Sequence, residues 1–532
     1  MRQHVPNLRL PLRRLLAMDG VLLAVGALAL ACFYITPWPL LALPWLLLFG
    51  WLAWRRLDLA LCLLPLTFPY WYVPKPIIAG KVFLLSEIAL TVCLLVAIGS
   101  VVLALVRRRA WRPLPWRKLL ARIGWPTLAG AGLLLVGMSL GVLVARRQPE
   151  ALRAWRWEIV EPLIFLLLVA WYMRRRAAAR WLAWAMLGSA LIVAVLATIQ
   201  VLWLHVTFAP LADGGNHLIP YVTPAGASPR ATAIIYGSGN SLGAWLERAF
   251  PLALAITLLG VGGTGRSAKV ARLLAALCAL AYLPALSWSA SRGAEVGTAA
   301  GAVLVLAGAL VYWFAPRWRV VFNRWSRRTG LLAGASVACV ALALIVIATL
   351  SPLGGFLTNA LLYGHNESGE ERLLLWLAAW HMVRDHPLLG LGPDQFLYYY
   401  SNLYTSHPYW ITTLNGHATV AGREPNLAHP HNLLLDLWLS AGLLGLVGYV
   451  VVFVTLLRRS VSLWRHGPAW ARPLALGVCG SVVAGVVHGM VDSAYFVPDL
   501  ALAFWWAIAL LIACCSVAGS SRLEQLSDRL SR

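Results

Sequence analysis

Apolar residues run through this chain in long blocks, broken by short polar stretches. A helix needs about 20 consecutive apolar residues to cross a bilayer. Blocks of that kind predict fourteen spans, at about 16–36, 38–55, 57–73, 82–106, 125–145, 157–173, 180–205, 239–262, 271–289, 293–315, 331–351, 432–456, 473–491 and 497–517. The short spans before Val73 can instead form one hairpin-like unit, which gives twelve. The predicted fold is an all-α, polytopic transmembrane helix bundle. Residues 1–532 then form a single integral membrane unit: generic spans over 1–225, spans with arginine motifs over 226–351, a large loop over 352–431 and C-terminal spans over 432–517.

Two long polar connections interrupt the pattern, at 206–238 and 352–431. Within the second, "SGEERLLLWLAAWHMVRDHP" has helical periodicity. Ser368 and Glu371 fit a capping box, Leu373, Trp376, Leu377 and Trp380 make an apolar stripe, and Pro387 stops the helix. An amphipathic helix between spans is predicted to lie along the membrane interface.

Composition agrees, with 60% hydrophobic and 12% charged residues where a soluble domain has about 25% charged. A net charge of +24 would point to nucleic acid in a soluble protein. Here the arginines sit in short clusters between apolar runs, so the partners they predict are anionic membrane lipids and not nucleic acid. With the N-terminus inside, 32 of the 44 Lys and Arg residues fall in cytoplasmic segments, which predicts N-in and C-in. One outer connection departs from this bias, with Arg146, Arg147, Arg153 and Arg156 together. Such a cluster means either a wrong topology or a surface for something anionic. Many of the 27 tryptophans lie near run ends, as interfacial belts do. The first apolar run reads as a retained helix, and the eight cysteines, all inside apolar runs, as small fillers.

Candidate chemistry gathers on the face predicted to be outer. "SPRATAIIYGSGNSLG" carries Arg230 on a loop and Asn240 at a span start. "SWSASRGAEVG" carries Arg292 in a very short connection, Arg372 lies on the interfacial helix, and "EPNLAHPHNLLL" sets His429 and His431 before a span. Guanidinium groups keep their charge and present a planar fork of donors, so several together suit a phosphate or diphosphate. Arg292 must lie near membrane depth, where charge either marks function or snorkels to fix helix ends. Arg230 and Arg372 can equally be solvated. His431, with Asn432 beside it, sits at a helix N-terminus whose partial positive charge disfavours imidazolium. A neutral imidazole can serve as a general base. The competing reading is that Asn432 or His431 caps the helix while His429 is solvated.

A metal set could be built from "HPH" with Asp394, Glu424 and His417, but no HExxH-like spacing accompanies it, so neither a metal nor another cofactor is predicted. His488 and Asp492 in "HGMVDSAYFVPD" read as a packed polar pair or as cavity lining. Glu158 and Glu161 in "RWEIVEPLIF" read as partners of Arg153 or Arg156, or as acceptor contacts.

"HNLLLDLWLSAGLLG" fits the O-antigen ligase pattern of His, Asn, nine residues, Gly, two residues, Gly, here His431, Asn432, Gly442 and Gly445. "SRG" at 291–293, the stretch from Glu371 to Phe396, "HPHN" and "RATAIIYGSGNSLG" also resemble the O-antigen ligase/polymerase superfamily in order and spacing. The motif resemblance covers roughly residues 225–515. It implies a bundle of about twelve helices with an outer cavity and metal-independent transfer of a glycan from an undecaprenyl-diphosphate carrier at the outer face of the bacterial plasma membrane. By that resemblance His431 is the base for the acceptor hydroxyl, and Arg292 and Arg372 hold the donor diphosphate with Arg230 assisting. His429 and Asn432 join substrate binding. The acceptor is a lipid, a glycolipid or a protein. This chain departs from the family in two extra spans and in a large Tyr-, Thr- and His-rich loop over 387–428, which either cradles sugar or shields the cavity. Two relatives in function are an O-antigen-type polymerase and a protein O-oligosaccharyltransferase. A polysaccharide transporter would show paired half-repeats and broken helices, and the pattern predicts neither.

Overall fold

The computed structural model describes residues 12–78, 81–108, 116–210, 218–222, 230–261, 265–322, 367–411, 413–414, 417–418 and 427–530. The expected span 331–351, His365 and Glu424 lie outside the described residues, and of His417 only the backbone is described.

The bundle opens with α1 (Leu12–Ile35), α2 (Pro39–Arg55), α3 (Leu57–Leu63), which continues as a 3₁₀ turn to Tyr70, and α4 (Leu85–Arg108). Next come α5 (Trp116–Ile123), α6 (Trp125–Val144), α7 (Gln148–Trp155), α8 (Glu161–Tyr172) and α9 (Arg176–Ile199). The central helices are α10 (Gly239–Leu259), α11 (Arg266–Ser289) and α12 (Arg292–Phe322). After α13 (Glu367–Asp385) and the short α14 (Phe396–Tyr400), the chain ends in α15 (Leu433–His466), α16 (Arg472–Gly489) and α17 (Pro498–Leu530). Among the described residues, ten helices are long and apolar enough to cross a membrane. Those ten fall where the apolar blocks predict spans, whereas the span expected over 57–73 is a short α-helix that tightens into a 3₁₀ turn. Proline in the first turn of α2, α6, α8 and α16 marks their starts, since that position needs no backbone donor.

α10, α16 and the Pro498–Ala518 part of α17 are mostly buried, whereas α4 exposes Leu95, Ile98, Val102 and Val106. The apolar outer surface faces lipid, where a helix must satisfy its backbone polar groups within the protein. α10, α12 and α16 approach one another through small residues, with Gly301 and Gly480 against Pro251. Among the described residues, three two-stranded antiparallel hairpins, which the hydrophobic pattern does not predict, occupy the connections; Val206 pairs with Val222 in the longest.

Two expectations are corrected. The unbroken span over 432–456 is interrupted at Gly442, whose φ of 66° and ψ of −172° are non-helical. A side chain at Gly442 would collide with the Leu388 carbonyl, so the break leaves room for the loop that crosses it. That loop satisfies the freed backbone groups: Leu443 N–H donates to the Leu388 carbonyl at 3.0 Å, and the Leu439 carbonyl accepts from Leu391 at 2.7 Å and Gly392 at 3.1 Å. A glycine pattern read as a signature is also a hinge in the backbone.

The second correction concerns α13. Its buried face is Leu375, Ala378, Ala379, Met382 and Val383, while Leu373 and Trp380 of the expected stripe are exposed. Two adjacent alanines look weakly apolar in a stripe, but their small size admits close packing. Ser368 lies inside the helix, not at its cap. Phe396 and Tyr400 from the aromatic loop complete this small core, stacked at 5.1 Å, so those two rings are structural.

Candidate active site

α15 begins at a cap. Asn432 Oδ1 accepts from the Leu434 and Leu435 amides, both at 3.1 Å, and its side-chain amide donates to the Met490 carbonyl at 3.1 Å. Asn432 therefore caps the helix and ties it to the turn after α16. His431, just before the cap, has a left-handed backbone with φ 51°. A non-glycine residue there costs about 1–3 kcal/mol, a cost that surrounding contacts must offset.

The His431 ring meets Asp492, Nδ1 to Oδ1 at 2.6 Å. Asp492 also faces His488, 3.6 Å from its Nε2, and His488 Nδ1 lies 3.1 Å from Glu247 Oε2. Arg248 follows, donating to the Ala494 carbonyl at 3.0 Å. Thus a chain of titratable groups runs from His431 into the centre of the bundle, with Glu247 fully buried and His488 nearly so. The contact of His431 and His488 flanks the Asp492 carboxylate and, against the cost of burial, holds it well below the usual carboxylate range. The packed pair expected from His488 and Asp492 is real, and it extends to His431.

His429 turns to other partners. Its Nδ1 is 3.1 Å from Asp436 Oδ2, which also accepts from Ser493 Oγ at 3.2 Å. Burial opposes its charge, but Asp436, reinforced by Asp394 and Glu158, raises the His429 pKa to about 9. The two histidines thus diverge onto different carboxylates. Among the described residues, no group of three or more His, Cys, Asp or Glu is placed to hold a metal ion.

Both histidines line a cavity of about 380 Å³. Its other polar walls come from Arg153, Glu158, Asn240, Asp394 and Asp492, with Trp71 and Trp157 as aromatic faces. These residues come from span ends and connections that meet at one end of the bundle. Arg153 pairs with Asp394 at 3.3 Å, not with Glu158 or Glu161. Arg156 does pair with Glu161, at 3.4 Å, and also with Glu87 at 3.1 Å. Arg146 donates to the Tyr398 carbonyl, and the Arg147 guanidinium stands 5.4 Å from the Tyr398 ring centre. The discordant arginine cluster is therefore engaged with neighbouring loops.

The three arginines singled out from sequence approach this centre by different routes. Arg230 donates to Asn240 Oδ1 at 2.7 Å and to the Ser289 carbonyl at 3.0 Å, which links it to a cavity residue. Arg292 is exposed at the start of α12, where a side chain at the next residue, Gly293, would strike the His488 ring. Arg372 lies one turn before Trp376 on α13, and the Trp376 indole donates to the His431 carbonyl at 3.1 Å. None of the three belongs to the cavity wall itself. Asp436, Glu247 and Arg248 were not expected here. The adjacent charges of Glu247 and Arg248 inside an apolar run were the signal available for two of them.

The fold and site define a multi-pass helical membrane protein with a histidine–carboxylate pair in a polar cavity. Residues 274–450 match the family described as O-Antigen ligase, so this part of the chain is similar to a family of membrane glycosyl-transfer enzymes. The match takes in Arg292, Arg372, His429, His431 and Asn432, while Arg230 and Asp492 lie outside it. No curated protein matches the chain.

Proposed function

We propose that this protein transfers a glycan from an undecaprenyl-diphosphate carrier to an acceptor hydroxyl at the outer face of the bacterial plasma membrane. The observation that carries this reading is the 2.6 Å contact between His431 and Asp492 on the wall of the cavity. With Nδ1 engaged by the carboxylate, Nε2 is the nitrogen left to take a proton. The acceptor oxygen attacks the anomeric carbon as its proton passes to His431. The bond from that carbon to the diphosphate oxygen breaks, and undecaprenyl diphosphate leaves with the electron pair. Asp492 fixes the ring and stabilises the imidazolium that forms. Arg292 and Arg372, with Arg230, neutralise the charge that grows on the leaving diphosphate.

The test is transfer by purified protein in lipid nanodiscs, with a lipid-diphosphate-linked glycan as donor. Transfer should persist in EDTA and fall about 100-fold or more in His431→Ala, with donor still bound. Loss of transfer on chelation would overturn the arginine mechanism. The product identifies the acceptor class: a strain lacking the protein should accumulate long lipid-linked chains if it ligates, and single lipid-linked repeat units if it polymerises.

A further inference from the structure

Part of the cavity wall has no role in the proton transfer just described. Glu158 sits on a π-helical turn, Arg156–Val160, and is only 6% exposed, yet it lines the cavity. Among the described residues its Oε2 has no hydrogen-bond partner. Asp394, with a left-handed φ of 57°, lines the same cavity and takes Arg153 on its Oδ2. Trp157 lines it too, 5.6 Å below the Arg153 guanidinium. π-turns recur at functional sites because they re-aim side chains that a regular helix would turn away.

The chemistry of this lobe does not suit a diphosphate. Three carboxylates, Glu158, Asp394 and Asp492, lie on the wall, and among its described residues Arg153 is the one guanidinium, already paired with Asp394. Carboxylate oxygens accept from hydroxyl and amino groups, and an indole face packs on the C–H face of a sugar ring. We infer that this lobe seats the acceptor, a hydroxyl-rich or amino-bearing sugar held by Glu158 and Asp394 against Trp157. One of its hydroxyls is then presented to His431, while the donor diphosphate stays with Arg292 and Arg372. The inference rests on the glycan-transfer reading and assigns one substrate of that reaction to named residues.

The experiment varies each substrate separately. Purified protein in nanodiscs is assayed with lipid-linked donor and with the glycolipid fraction from a strain lacking this protein, and undecaprenyl diphosphate binding is followed by native mass spectrometry. Glu158→Gln and Asp394→Asn should each raise the acceptor KM about tenfold, as expected for losing one buried hydrogen bond. Donor KM and undecaprenyl diphosphate binding should stay within about twofold, the scatter of such measurements. An unchanged acceptor KM in both correctly folded variants would overturn the assignment, as would a rise in donor KM or weaker binding of undecaprenyl diphosphate. A wild-type protein that binds undecaprenyl diphosphate but transfers nothing to any acceptor fraction removes the glycan-transfer reading itself, and the acceptor lobe with it.

Discussion

His431 carries two marks of a constrained residue: a left-handed backbone and a ring engaged at 2.6 Å. Asp492→Asn should preserve the fold but lower kcat by about 100-fold or more, because an amide can hold the ring in the wrong tautomer. Assay at saturating substrate checks this, and normal activity would remove Asp492 from the mechanism. His429 makes a prediction about stability. Its pKa, raised from the usual value near 6.5 to about 9, means that its pairing stabilises the fold fully below about pH 6.5 and is lost as pH climbs through 9. Thermal melts from pH 6 to 10 should show that decline in wild type and a flatter profile in His429→Gln. At this scale the sequence was only partly legible. His431 stood out by its spacing to Asn432, Gly442 and Gly445, but Asp492, 61 residues away, looked like the partner of His488 alone. No local pattern encodes a contact across that separation.

Elements were more legible than residues, because bilayer thickness imposes one length and one polarity on every span. The exceptions are informative. The break at Gly442 was invisible because glycine and its apolar neighbours keep the hydropathy of a continuous helix, while the conformation depends on a loop distant in sequence. Gly442→Ala meets both an unfavourable φ and the Leu388 carbonyl, so it should destabilise by more than the roughly 1–2 kcal/mol of the backbone term alone. Faster proteolysis at 386–392 with a lowered Tm would support the clamp, and wild-type behaviour would refute it. The α13 stripe was misread for a similar reason: hydropathy ranks leucine and tryptophan above alanine, but packing against α15 favours the small side chains.

At the scale of the whole molecule, the site is assembled from connections spread from Trp71 to Leu500. A buried charge network stabilises little by itself but costs much when halved. Glu247→Leu should therefore cost about 3–5 kcal/mol, and the double variant with His488→Leu should recover part of it. Melting of the two single variants and the double variant measures the coupling, and strict additivity would show that the pair does not interact.

The pairing of Glu247 with His488 also bears on how the protein is made. A carboxylate near a span centre is unfavourable to insert by about 2.5–3.5 kcal/mol, and α10 carries Glu247 beside Arg248. Their partners, His488 and the Ala494 carbonyl, emerge from the ribosome more than 240 residues later. Until α16 arrives, α10 must wait in the membrane with its charges poorly matched, a client for any factor that shelters immature spans. The turn that follows α16 supplies the Ala494 carbonyl to Arg248 and Asp492 to His431, so both pairings wait for the same late segment. A chain that stops before α16 and this turn should therefore lack both the partners of its buried charges and the carboxylate beside His431.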